Sequence, residues 1–67
     1  MNRIRELREA KGLTQDALGK MIGVQQGAIA KYEAGTRELS ITRATQIACA
    51  LGVELYEVLG LKLGKEA

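Results

Sequence analysis

The chain has 67 residues, 46% hydrophobic and 27% charged, with a net charge of +2, one cysteine, and no histidine, proline, tryptophan or phenylalanine. Ordering it costs on the order of 100 kcal/mol, and so small a globule buries only about 60% of its unfolded surface, so one compact domain is the ceiling. Without histidine and with a single thiol, the usual zinc cage, a Ser-His-Asp triad and a Cys-His pair are excluded, and a cleft deep enough for a small molecule would consume the core. The expectation is a binding protein rather than an enzyme, with no cofactor, metal or small-molecule ligand. No apolar run reaches membrane length and there is no secretory signal or cysteine framework, so a cytoplasmic, reducing setting is expected.

No segment alternates with period two, whereas apolar residues recur at helical spacing between glycines, which predicts an all-α fold. Asn2 can cap a first helix running to about Ala10, with Ile4 and Leu7 on one face. Thr14 caps a second, in which Asp16 suits the positive first turn and Leu18, Met21 and Ile22 form the apolar side before Gly23 stops it. A third helix spans about Gln26 to Ala34 with Ile29 and Tyr32 inward. Ser40 caps a fourth, Ile41 to Leu51, and a fifth covers about Leu55 to Leu59. Helices this short are marginal alone, so tertiary packing must hold them. The expected core is Ile4, Leu7, Leu13, Leu18, Ile22, Ile29, Ile41, Ile47, Ala48, Leu51, Val53 and Leu59. Residues 1–60 form the domain and 61–67 a short tail.

Gln15 to Glu33 reads as two helices joined by a turn at Gly23. Gly19 has no side chain where the second of them must cross closely, and Gly23 can take the left-handed conformation of a tight turn. Arg8 and Glu33 each sit beside the apolar side of their helix. Because an unpaired buried charge is costly, an architectural Arg8–Glu33 salt bridge is expected.

Leu13-Thr14-Gln15, Ile22-Gly23-Val24, Ile29, Tyr32-Glu33-Ala34-Gly35 and the run Ile47 to Val53 resemble the lambda-repressor-like, Cro-type helix-turn-helix family, without gaps from about Ile4 to Leu59. The resemblance implies a compact five-helix domain with its helix-turn-helix at helices 2 and 3. It further implies binding of operator DNA, usually as dimers, to regulate transcription, with Gln26 to Glu33 as the recognition helix in the major groove. An Arg–Glu pair equivalent to Arg8 and Glu33 belongs to the family. So does a Gln at the place of Gln15 that touches phosphate and hydrogen-bonds a Gln at the place of Gln26.

The residues themselves fit that picture. With Ile29 and Tyr32 inward, Gly27, Ala30 and Lys31 face outward and Gln26 lies on the flank. Gln can pair with adenine, Ala can touch the thymine methyl, and Lys can donate to guanine or phosphate; Gln25 is a further base-reading candidate. Thr14 and Gln15, at the positive start of the second helix, are expected phosphate contacts. Arg37 and Arg43 join them, since a cation in the first turn of the fourth helix opposes the dipole and phosphate contact would explain it. For each of these side chains, a solvated surface position is the alternative.

Three positions depart from the family pattern: Leu39 where proline is common, Gln25 where a Ser or Thr often caps the recognition helix, and Cys49 where a polar residue is frequent. The reading reached is a sequence-specific regulator of double-stranded DNA, a repressor acting as a homodimer on a palindromic operator. The dimer candidates are Leu55, Tyr56, Val58, Leu61 and Leu63, with Cys49 at the edge, and Leu55 and Val58 fit an intrachain core equally well. The alternative is an antitoxin or adaptor whose main task is to bind another protein.

Overall fold

A computed structural model describes residues 2–61 of the chain. Five helices follow one another: α1 (Ile4–Ala10), α2 (Gln15–Ile22), α3 (Gln26–Ala34), α4 (Ile41–Leu51) and α5 (Leu55–Leu59), with no strand among the described residues. None of these helices is long and apolar enough to cross a membrane.

Local chemistry fixes the boundaries. Thr14 Oγ1 accepts the Ala17 N–H at 3.0 Å and Ser40 Oγ accepts the Arg43 N–H at 3.0 Å, each satisfying one of the free donors of a helix start. At α5 the Glu57 carboxylate reaches back 3.0 Å to the Glu54 N–H. The N-cap of α1 is Arg3, which supplies no side-chain bond, and the expected cap Asn2 stands one residue earlier. Its Oδ1 accepts the Ile4 N–H at 3.1 Å while its Nδ2 donates 2.9 Å to the carbonyl of Tyr32, so the start of α1 is fastened to α3. Gln25 supplies no side-chain cap to α3.

The turn between α2 and α3 depends on two glycines. Gly23 sits at φ 77°, ψ 27°, a region costly for residues with a Cβ. A Cβ on Gly19 would lie 2.6 Å from the Val24 carbonyl oxygen. The expected close approach at Gly19 is therefore made by the turn backbone, which folds back so that the Val24 N–H donates 2.9 Å to the Gly19 carbonyl.

Ile4, Leu18, Ile29, Tyr32, Ala44, Ile47, Ala48, Leu51 and Val58 form the buried core, each large aliphatic side chain contributing about 1.5–3 kcal/mol relative to exposure. Leu7, Leu13, Ile22, Val53 and Leu59 surround it half-buried. Two expectations are corrected. Ile41 is 63% exposed. The buried stripe of α4 is Ala44, Ile47, Ala48 and Leu51, and at about 100° per residue Ile41 stands some 70° from its centre, on a terminal turn. Val58 is 0% exposed and belongs to the core, which removes it from the dimer candidates. Its carbonyl accepts the Arg3 N–H at 2.9 Å, tying α5 back to the start of the chain.

Candidate nucleic-acid interface

α3 turns Ile29 and Tyr32 into the core and leaves Gln25, Gln26, Gly27 and Lys31 exposed. Ala30 differs from expectation in being half-buried. Gly27 and Lys31 each stand about 160° around the helix from Ile29, whereas Ala30 stands about 100° away, on the flank. A Cβ at Gly27 would meet nothing within 4 Å, so the outward surface there is open.

Behind this surface, four side chains join α1 to the tip of α3. Arg8 Nε donates 2.6 Å to Glu33 Oε2 and Nη2 donates 3.4 Å to Oε1, so the pair expected between them is present. Arg8 also donates through Nη1 to the Leu13 carbonyl at 2.7 Å, fixing the approach to α2. The two side chains are only 9% and 5% exposed. The hydrogen bond that Arg8 donates to Glu33 raises the pKa of its guanidinium above the ordinary value, against the opposing effect of burial. Gln15 Nε2 donates 3.0 Å to Glu33 Oε1, and Gln26 Nε2 donates 3.4 Å to Gln15 Oε1. Thr14, engaged as the cap of α2, lies exposed next to Gln15.

Charge is sorted over the surface. Arg3 pairs with Glu6 at 2.9 Å, Arg5 with Glu9 at 3.3 Å and Lys20 with Asp16 at 3.3 Å. Such exposed pairs add little stability, but they neutralise the outer faces of α1 and α2. Among the described residues, no carboxylate lies within 4.0 Å of Lys31, Arg37 or Arg43. Those three cations line one concavity of about 350 Å³ with Val24, Gln25, Gly27, Ala28 and Tyr32. Arg37 holds its guanidinium carbon 6.0 Å from the centroid of the Tyr32 ring, within cation–π range.

Arg43 has a local explanation that its position in the sequence does not show. Its Nη1 donates 2.7 Å to Gln46 Oε1 and 3.5 Å to the Ile22 carbonyl. The negative C-terminal end of α2 thus offsets the unfavourable start of α4. Gln46 was not singled out, although its i+3 spacing from Arg43 was a readable signal.

Of the remaining dimer candidates, Leu55 and Tyr56 are half-buried, Leu61 is 59% exposed, and Leu63 lies outside the described residues. Met21, expected on the apolar side of α2, is 54% exposed. With Ile22, Thr45, Gln46, Cys49 and Ala50 it lines an open groove between α2 and α4.

Two packed helices at a glycine turn, the second with a small outward face, define the class. The chain belongs to the helix-turn-helix family, whose model matches residues 4–58, and its five-helix arrangement is lambda-repressor-like. It is similar to the P22 c2 repressor protein, solved in complex with synthetic operator 9T in the presence of Tl+. The TM-score is 0.77, with 34% identity over 87% of this chain and 89% of that one. It is also 42% identical over 52 residues to an uncharacterized HTH-type transcriptional regulator, y4wC, of Sinorhizobium fredii; the match covers 78% of this chain and 36% of that protein. The matching region thus spans about a third of that relative's length.

Proposed function

We propose that the protein is a sequence-specific double-stranded DNA-binding transcriptional regulator, a repressor that places α3 in the major groove of a palindromic operator as a homodimer. The observation that carries this reading is the coincidence of the open face of α3 around Gly27 with Lys31, Arg37 and Arg43, cations that no carboxylate among the described residues reaches within 4.0 Å. An anion is the natural complement of such a surface, and base edges fit a helix face that lacks bulky side chains. That the similar P22 c2 repressor was solved in complex with an operator supports DNA binding by this chain.

Gln26, Gly27, Ala30, Lys31 and Gln25 are the residues proposed for base readout, and Thr14, Gln15, Arg37 and Arg43 for phosphate. One short helix reads few base pairs, so affinity requires two copies on half-sites about 34 Å apart. The domain's longest extent of 37 Å lets neighbouring copies meet, with exposed Leu61 and half-buried Tyr56 as the contact candidates. The groove beside Met21 and Cys49 is the observation that favours the second reading, an adaptor or antitoxin bound to another protein.

Selection of bound sequences from random duplexes, repeated at two salt concentrations, tests the proposal. The expected result is a palindromic consensus whose affinity falls steeply with salt. Failure to enrich any sequence refutes the regulator reading.

A further inference from the structure

The polarity of the hydrogen-bond chain from α1 to the tip of α3 is fixed at its buried end. A guanidinium has donors only, and a carboxylate only accepts. Arg8 meets Glu33 through both Nε and Nη2, at 2.6 Å and 3.4 Å. Gln15 faces the same carboxylate, its Nε2 3.0 Å from Oε1. Opposite an acceptor-only group, the Gln15 amide has one favourable orientation: nitrogen toward Glu33, carbonyl away. That carbonyl is what Gln26 encounters, and Gln26 answers with Nε2 at 3.4 Å. One carboxylate thereby settles the direction of two amides, whose terminal torsions are otherwise broad and roughly two-fold.

We infer that Glu33 is a positioning residue for base selection: through Gln15 it dictates which end of the Gln26 amide donates and which accepts at the DNA edge, and so favours adenine there. This rests on the DNA-binding reading above. In the major groove adenine offers an N7 acceptor beside an N6 donor, whereas guanine offers two acceptors, N7 and O6. With one N–H committed to Gln15, Gln26 turns its second N–H and its Oε1 outward in a fixed order, which complements N7 and N6. Neither order of the amide complements guanine's two acceptors, but released from Gln15 the amide regains its second N–H and can turn both donors toward N7 and O6. The selecting group would then be a carboxylate 5% exposed, on the buried side of the reading helix.

Two variants separate this from a structural role. Gln15→Met cuts the relay and leaves the Arg8–Glu33 pair intact. The double variant Arg8→Met with Glu33→Leu removes the directing carboxylate while replacing the buried pair by apolar residues, a change that folds often tolerate. Selection with the wild type and with Gln26→Ala identifies the base that Gln26 meets. Competition between duplexes carrying adenine or guanine at that base, at low salt to offset any lost phosphate contact, gives the discrimination ratio. Wild type prefers adenine. Gln15→Met and the double variant, the latter verified as folded by circular dichroism, lose about tenfold in that ratio while preferences at other positions persist. An unchanged ratio in either folded variant, or a wild-type preference for another base, overturns the inference. No selected site for the wild type refutes instead the DNA-binding reading. In the free protein, the side-chain amide protons of Gln15 and Gln26 exchange more slowly than those of Gln25, and Gln15→Met abolishes the difference for Gln26. Equal exchange in the wild type overturns the relay without reference to DNA.

Discussion

Removing one partner of the Arg8–Glu33 pair tests how far a single buried contact governs this small fold. Glu33→Ala leaves the Arg8 side chain, 9% exposed, with the Leu13 carbonyl at 2.7 Å and, more distantly, the exposed Glu9 carboxylate at 3.8 Å. Breaking a buried pair in this way costs about 3–5 kcal/mol, chiefly from the stranded charge. A chain of this length has a total stability of roughly 3–10 kcal/mol, so the substitution consumes a third of it or more. Near the transition, each kcal/mol moves the midpoint by about 4–8 °C in a domain of this size, which predicts a loss of at least ~12 °C. Arg5→Ala, which opens the pair between Arg5 and Glu9 with side chains 74% and 56% exposed and leaves Glu9 beside Arg8, changes stability by less than about 0.5 kcal/mol. Urea unfolding followed by circular dichroism measures both. Linkage gives the pH behaviour of the Arg8 contribution: its folded value is raised, so the stabilisation is complete below the unfolded value and is lost only as pH rises through the folded one. That window lies far above neutrality, and between pH 7 and 9 the contribution is flat. A Glu33→Ala cost within about 0.5 kcal/mol would refute the reasoning, because it would mean that the Arg8 charge is adequately solvated.

Glycine-to-alanine substitution is predicted to have opposite signs on the two helices of the motif. Gly27→Ala gains about 1 kcal/mol of helix propensity into open space and weakens operator binding by thickening the reading face, whereas Gly19→Ala meets a carbonyl oxygen 2.6 Å away and is destabilising by about 1–2 kcal/mol; thermal melting distinguishes them. Ile41→Thr, at a position 63% exposed, leaves the melting temperature nearly unchanged, while Val58→Ala, at a position 0% exposed, costs about 2 kcal/mol by chemical unfolding. Arg37→Ala lowers the slope of log affinity against log salt by about one unit without altering the selected sequence. Arg43→Ala has a smaller effect on the slope if its bonds to Gln46 and the Ile22 carbonyl persist on DNA. An unchanged slope for Arg37→Ala removes it from the phosphate contacts.

The helix boundaries were legible because capping is local: Thr14 and Ser40 each bond a backbone N–H three residues on, and no distant part of the chain is needed to see it. The Arg8–Glu33 pair was legible for a different reason, since each charge lay beside an apolar stripe and a buried charge requires a partner. Ile41 was misread, and Val58 stayed open between core and dimer contact, because periodicity gives direction around a helix but not how far a neighbouring helix extends along it. The link from Gln15 to Glu33 was equally hidden. It joins residues 18 apart in sequence, and only the rotamers of the packed structure bring the amide nitrogen to Oε1. Arg43 shows the limit of dipole reasoning: the start of α4 was visible in sequence, but the end of α2 that offsets it was not.

A net charge of +2 says little about where an anion would bind, because exposed charges are screened over about 8 Å at physiological salt. Pairing determines the local field. Where α1 carries Arg3 and Arg5, a glutamate stands three or four residues on and closes an ion pair; Asp16 does the same for Lys20 on α2. Lys31 and Arg37 have acidic neighbours in sequence, Glu33 and Glu38, but no described carboxylate reaches them within 4.0 Å. For Glu33 the reason is in the core: its carboxylate is turned toward Arg8 and Gln15, 5% exposed. Glu33 stands about 160° around α3 from Lys31 and only about 40° from Ile29, so helical spacing keeps its negative charge off the outward face, and the buried pair with Arg8 holds it there.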